Sequence, residues 1–215
     1  MIEIRNRDSG ATLLSIPADS LVGRKFRGAR LAQADFANML LTQTDFGHAT
    51  LVAANFQESM LEEAQFCNAL LTTVRFDQAS LSAADFTEAA LIDVSFQKAD
   101  LREAVFRYAR LSNANFSEAD LRGANMSMAV ISGVFRGANL AGADLRGADI
   151  RDADLTDAVL DGVRLANAKV VGASLTPLQR RLVQMGKDDV AGVSTPHASV
   201  TSHTTDSRSW WRFWR

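Results

Sequence analysis

Along most of this chain a large apolar residue returns at every fifth position. From Leu21 the series runs 21, 26, 31 and onward to Ile131; the frame then slips by one residue and resumes from Phe135 to Leu175. All 32 of these centres are Leu, Phe, Ile, Met or Val, and two places before them 23 of the 32 residues are Ala, as at Ala34, Ala114, Ala138 and Ala173. The other three positions of each unit are mostly polar or small. A helix repeats every 3.6 residues and a strand every 2, so a period of five suits neither. On a helix, five residues rotate the stripe by about 140° net and scatter it around the barrel.

A chain that turns a corner every five residues resolves the mismatch. Four units then close a square coil of twenty residues, with centres and alanines pointing inward and polar residues facing water. Successive coils stack about 4.8 Å apart and pair one another's backbone groups. A second period supports four sides. Every tenth position from Leu21 to Leu121 is Leu, and every tenth from Phe26 to Phe116 is Phe. A four-sided coil stacks each Phe on a Phe, giving ladders such as Phe26, Phe46, Phe66, Phe86 and Phe106; a three-sided coil would mix the two residue types on every face. After Phe135 the centres become Leu, Ile and Val, which predicts a narrower core.

The segments "ADLRGANM", "ANLAGADLRGADI" and "ADFTEAAL" resemble the A(D/N)LxX consensus of the pentapeptide repeat family. The resemblance covers residues 19–175. It implies an all-β fold, a right-handed quadrilateral β-helix (solenoid) of about eight coils, and hence a rod roughly 38 Å long.

A solenoid has two open ends, and each calls for a cap. Residues 1–18 alternate Ile2, Ile4, Leu14 and Ile16 around the turn "NRDSG", which predicts a β-hairpin cap before the solenoid of 19–175. At 176–186, "TPLQRRLVQMG" carries helix-capping chemistry: Thr176 as N-cap, Pro177 at the first position, Gln179 completing a capping box and Gly186 as a stop. Two readings of this short C-terminal helix stand together, an end cap and a homodimer contact, the second implied by the resemblance. The four-residue unit between Ile131 and Phe135 predicts an irregular corner at Gly133. Residues 187–215 are small and polar, a composition that predicts disorder, and end in "WWRFWR". Trp210, Trp211, Phe213 and Trp214, interleaved with arginine, form a candidate tail anchor for a partner groove or a membrane surface, or else fold back on the rod as extra cap.

Composition narrows the chemistry. The chain is 47% apolar and 22% charged, with 23 Lys plus Arg against 25 Asp plus Glu, a net charge of −2. That balance points to no direct nucleic-acid binding. One cysteine, Cys67, forbids an internal disulfide, and with no signal sequence or long apolar run the expectation is a cytoplasmic protein. An interior filled by Leu, Phe and Ala leaves no cleft in which catalytic groups converge. The three histidines (His48, His197 and His203) lack metal-ligand spacing with a cysteine, and Cys67 has no activating neighbour in sequence, so it reads as an exposed spectator thiol. The expectation is a non-enzyme without cofactor or metal.

Function then lies on the outside of the rod. Residues 21–30 carry Arg24, Lys25, Arg27 and Arg30 without an acid, whereas 31–100 carry ten acids against Arg75 and Lys98. Within this acidic belt the candidate residues are Asp45, Glu62, Glu63, Asp85, Glu88 and Asp100. Some family members that confer fluoroquinolone resistance are proposed to mimic duplex DNA and bind DNA gyrase. The belt spans roughly 17 Å, over which DNA would present about ten charges, so the density is of the right order over the belt but not over the whole solenoid. A second candidate surface is the outward pair of positions on one face in three successive coils: Thr50 and Val52, Leu70 and Thr72, Ala90 and Ile92. Stacked, they form an apolar and β-branched strip, read either as β-propensity filling flat positions or as a partner face. The leading expectation is a bacterial-type protein–protein interaction scaffold, with another protein as partner. The alternative is a DNA mimic binding gyrase or another type II topoisomerase, and a third reading attaches the tail to a membrane.

Overall fold

The computed structural model of the chain describes residues 1–177, 179 and 180. The tail anchor of Trp210, Trp211, Phe213 and Trp214, the polar stretch before it and the part of the predicted C-terminal helix after Arg180 lie outside the described residues. The period of five becomes a corner in each unit. In most units the amide three residues after a centre donates to the centre's carbonyl, as from Ala29 to Phe26 (2.9 Å), Ala49 to Phe46 (3.0 Å) and Ala69 to Phe66 (3.0 Å). The residue two after the centre is left-handed, as at His48 (φ 56°), Asn68 (φ 59°) and Ala83 (φ 56°). This is the third position of a type II-like turn, which ordinarily favours Gly or Asn.

Four such corners close a coil, and bridges link each coil to the residue about twenty further on. One column runs Lys25, Asp45, Gln65, Asp85, Val105, Asn125, Asp144, Arg164, each bridged in parallel to the next. The fold is a β-solenoid with four-sided coils. Most rungs are single bridges, but one face forms a regular parallel sheet. Its strands, in chain order after the β1 (Ile2–Asn6), β2 (Thr12–Ile16) and β3 (Ala34–Asp35) of the N-terminal end, are β4 (Thr50–Val52), β5 (Leu70–Thr72), β6 (Ala90–Ile92), β7 (Arg110–Asn115) and β8 (Val130–Val134).

The core is the stacked centres. Phe46, Phe66, Phe86 and Phe106 are fully buried, with centroids 5.1, 4.8 and 4.8 Å apart along their column. On the opposite face Phe36, Phe56, Phe76, Phe96 and Phe116 form the second ladder, and rings of the two ladders meet edge to face, as Phe86 does with Phe96 at 5.6 Å and 86°. Parallel-displaced stacking within columns and T-shaped contact between them are the two favoured aromatic geometries, so two ladders fill one square without frustrating either. Where the inward alanine is replaced by a hydroxyl residue, the hydroxyl finds a carbonyl: Thr44 donates to Leu21 (3.0 Å) and Ser59 to Phe56 (2.7 Å). Buried polar groups without partners would be costly there.

The frame slip is absorbed as a bulge. Leu111 pairs with Ile131, but Ala114 pairs with Gly133, so Ser112 and Asn113 of β7 face Ser132 of β8 alone. The Ser132 hydroxyl accepts from the Asn113 amide (3.3 Å), standing in for a backbone carbonyl that the shortened unit lacks. Gly133 is required here, because a Cβ would lie 2.1 Å from the Ala114 carbonyl oxygen. The core is undisturbed: Phe116 stacks on Phe135 at 4.7 Å.

Both ends are covered. At the N-terminal end β1 pairs antiparallel with β2 and with β3, setting Ile4 and Ile16 over the first coil. At the other end Pro177, Gln179 and Arg180 are helical. Thr176 and Gln179 exchange hydrogen bonds: the Thr176 amide donates to Oε1 of Gln179 (2.7 Å) and the Gln179 amide donates to the Thr176 hydroxyl (3.3 Å). The buried Gln179 amide group then donates to the carbonyls of Leu155 (2.9 Å) and Ala158 (2.8 Å), satisfying acceptors that would otherwise meet no further coil.

Candidate interaction surface

The sheet β4–β8 brings the strip residues into register. Thr50 lies beside Leu70, Leu70 beside Ala90, Ala90 beside Arg110 and Arg110 beside Val130; a second outward column runs Val52, Thr72, Ile92, Ser112. Between them the inward Leu51, Leu71, Leu91 and Leu111 anchor the strands in the core. Val52, Leu70 and Ile92 remain 36%, 40% and 39% exposed, with Thr50, Thr72 and Ala90 partly exposed around them. An apolar patch on a flat, rigid sheet is the kind of surface that protein partners cover. The strip expected from the sequence ends at Ala90 and Ile92. The structure adds Val130, 54% exposed in the same column, beyond the interruption at Arg110. The signal was present in the sequence, since position 130 lies forty residues after 90, but the charged step at 110 concealed it.

Tyr108 and Met128, both about half exposed, stand at the corner beside this face. Next to Tyr108 a groove of about 510 Å³ is lined by Asn68, Glu88, Ala89, Ala90, Tyr108 and Arg110. A second open groove, of about 640 Å³, lies further along the rod between Ser127, Met128, Arg146, Asn167 and Lys169.

The acidic-belt residues fall on other columns. Asp45 and Asp85 share one column with Gln65 between them, and each carboxylate accepts the amide two residues on, from Gly47 and Thr87, both at 2.8 Å. Arg27 approaches Asp45 at 3.8 Å. Glu62 accepts from the Thr42 hydroxyl (3.1 Å) and Glu63 from the Gln43 amide (2.9 Å), each one coil back. Asp100 is clasped by Arg102 through Nε (2.8 Å) and Nη2 (2.6 Å), and this guanidinium holds the carboxyl below the usual carboxylate range. Only Glu88 stands at the corner beside the strip, on the 510 Å³ groove. The six acids therefore do not converge on one face.

Cys67 is partly buried rather than exposed, because its Sγ tucks toward the Asp85 carbonyl at 3.9 Å. Burial, and then neighbouring Asp85, push the thiol up to about 11, so it stays protonated and unreactive near neutrality. His48 occupies an exposed, left-handed corner position. Among the described residues no three His, Cys, Asp or Glu side chains are placed to hold a metal ion, and no helix is long and apolar enough to cross a membrane.

Residues 69–134 match a model described as pentapeptide repeat region, and residues 25–57 and 138–176 match one described as pentapeptide repeats (8 copies). Similar solved structures include HetL, a pentapeptide repeat protein involved in heterocyst differentiation regulation from the cyanobacterium Nostoc sp. strain PCC 7120. It is 26% identical over 73% of this chain and 83% of its own, with a TM-score of 0.40. QnrB1, a plasmid-mediated fluoroquinolone resistance protein, is 22% identical over 81% of this chain and 99% of its own, with a TM-score of 0.48. A pentapeptide repeat protein from the Arabidopsis thaliana thylakoid lumen is 29% identical over 49% of this chain and 67% of its own, with a TM-score of 0.36. A search of the curated proteins gives no match.

Proposed function

The chain belongs to the pentapeptide repeat family, and from that premise we propose that it is a non-enzymatic scaffold that binds another protein through the flat sheet β4–β8. The observation that carries this reading is the alignment of Val52, Leu70 and Ile92, each more than a third exposed, on adjacent rungs of a rigid parallel sheet. Binding there adds apolar burial without requiring the rod to change shape, since every inward centre beneath the strip is already packed. The acidic residues contribute less, because five of the six, all but Glu88, already accept a hydrogen bond within the solenoid.

The test is a double substitution, Leu70→Glu with Ile92→Glu, compared with Asp85→Asn with Glu88→Gln. Proximity labelling in the native host with each form supplies the partner set. The expected result is that the strip variant loses specific partners while keeping its melting temperature, and that the acid variant keeps both. The alternative, an acidic DNA-like surface for DNA gyrase, takes over if the pattern reverses and purified protein inhibits supercoiling in a salt-sensitive way. Glu62 and Glu63, adjacent at one corner, are the feature that favours it.

A further inference from the structure

We infer that the groove beside Ala90 is the seat of the chain's own aromatic–basic segment, residues 208–215. The occupant is intramolecular, and the inference goes beyond the partner reading without resting on it. In the outward column Thr50, Leu70, Ala90, Arg110, Val130, Ala90 is the smallest step. A single methyl group between a leucine and an arginine leaves a notch in an otherwise even surface. There the groove of about 510 Å³ opens, lined by Asn68, Glu88, Ala89, Ala90, Tyr108 and Arg110, with Tyr108 48% exposed. That volume falls within the roughly 300–1,000 Å³ of clefts that hold small organic groups.

The walls specify an occupant. The Ala90 methyl offers apolar contact, with Leu70 beside it in register; Tyr108 offers an aromatic ring that already has the Arg107 guanidinium over it at 5.5 Å, and Arg110 a guanidinium that stacks on indoles. Glu88 and Asp93, both exposed, flank Ala90–Ile92 and supply negative charge. A flat aromatic side chain with arginines beside it matches this set, and the chain contains one such stretch: Arg208, Trp210, Trp211, Arg212, Phe213, Trp214 and Arg215. The other apolar exposures fit it less well. Val22, 44% exposed, stands beside the Arg24, Lys25, Arg27 and Arg30 cluster, which repels a basic segment.

Reach imposes no bar. Between Arg180 and Trp210 lie 29 residues, which span up to roughly 100 Å. From the rung of Lys169 back to that of Ala90 the column passes Asp149, Val130 and Arg110, a climb of roughly 19 Å at sheet spacing. A tethered segment meets such a groove at an effective concentration in about the mM range, so a weak site fills. Seated there, the segment covers part of the face that a partner would use.

All three tryptophans of the chain lie in this segment, so intrinsic fluorescence reports on it without a label. In the full chain we expect Trp emission shifted to shorter wavelength and quenched less by iodide than in a free peptide of residues 206–215, at every protein concentration. Ala90→Arg, which fills the notch, and Glu88→Arg, which reverses its charge, restore the peptide's spectrum. Ser80→Arg, on another face, leaves the shift in place. Circular dichroism on each variant confirms that the solenoid is intact. Emission identical to the peptide's in the unmodified chain overturns the inference. So does a shift that survives both Ala90→Arg and Glu88→Arg, which would bury the segment elsewhere, or one that grows with protein concentration, which would seat it on a second copy. None of these outcomes depends on a partner, so the scaffold reading stands or falls separately.

Discussion

The coils between Leu31 and Phe116 and those between Phe135 and Leu175 obey the same five-residue rule but stabilise it differently. In the first region the corners carry no glycine at the left-handed position from Gln33 to Glu118, and residues as awkward there as Thr73 (φ 53°) are tolerated. Each such residue costs about 1–2 kcal/mol of backbone strain. In the second region Gly137, Gly142, Gly147, Gly162 and Gly172 take most of those corners. The cores differ in step. Double phenylalanine ladders lie in the coils with the strained corners, whereas Leu140, Leu145 and Leu160 lie under glycine corners. Stacked rings contribute about 0.5–1.5 kcal/mol per pair beyond their area, the same order as the strain they offset. A stronger core thus lets the corner and its neighbours vary, and the varied surface of the middle coils is where the apolar strip and the groove are found.

The sharpest way to break this comparison is to remove one ring. Phe86 stacks on Phe66 and Phe106, both at 4.8 Å, and meets Phe76 and Phe96 edge to face. Phe86→Ala is expected to cost roughly 3–5 kcal/mol, toward the top of that range, and Leu145→Ala nearer to about 2 kcal/mol. Urea titration gives the totals. Native-state hydrogen exchange locates them, because coils couple chiefly to nearest neighbours. Equal losses at the two positions would mean that the ladder contributes area and nothing more.

A pair of opposite substitutions sharpens the corner half of the comparison. Ala83→Gly removes a Cβ from a left-handed residue, and the relief outweighs the extra chain entropy by about 0.5–1 kcal/mol. Gly142→Ala does the reverse at φ 71°, where an added Cβ meets no atom within 4 Å, so its cost is conformational alone. The first is expected to raise the melting temperature and the second to lower it by a similar amount. If both changes move it in the same direction, corner strain is not what distinguishes the two regions.

The coil was legible in the sequence because its signal is redundant: each centre is repeated in every unit, and the Leu–Phe alternation sets the number of sides. The bulge was legible only as a missing residue. That Ser132 would lend a hydroxyl to Asn113 depends on the register of β7 and β8 after the slip, which no local pattern encodes. The strip was found by the same arithmetic as the core, yet its neighbours were missed. Tyr108 and Val130 belong to columns whose members do not resemble one another, so periodicity gives their place without marking them as part of an apolar surface. Cys67 was misplaced for a related reason. Its position in the unit faces outward, and its shielding comes from the Asp85 coil, eighteen residues away.

Acid provides the finest test. At the later end the Asp–Arg clasp seen at Asp100 and Arg102 recurs around two successive centres: Arg146 clasps Asp144 and Arg151 clasps Asp149, each with a shortest contact of 2.6 Å. Arg151 holds the Asp149 carboxyl down at about 2, against an ordinary value of 3.8, with Lys169 adding to the effect. A carboxyl lower in the folded chain than in the unfolded one adds stability above the ordinary value, and that stability is lost as pH falls toward the lowered one. Between about pH 4 and pH 2 the later coils should therefore loosen by more than the phenylalanine-filled ones. Arg151→Gln removes the clasp, leaving less to lose, and is expected to flatten that part of the curve while changing the melting temperature little at neutral pH, where exposed ion pairs contribute modestly. Hydrogen exchange of the amides around Asp149 at the two pH values reads the effect. An Arg151→Gln curve as steep as the parent's would show that the pair shapes the surface without holding the coil.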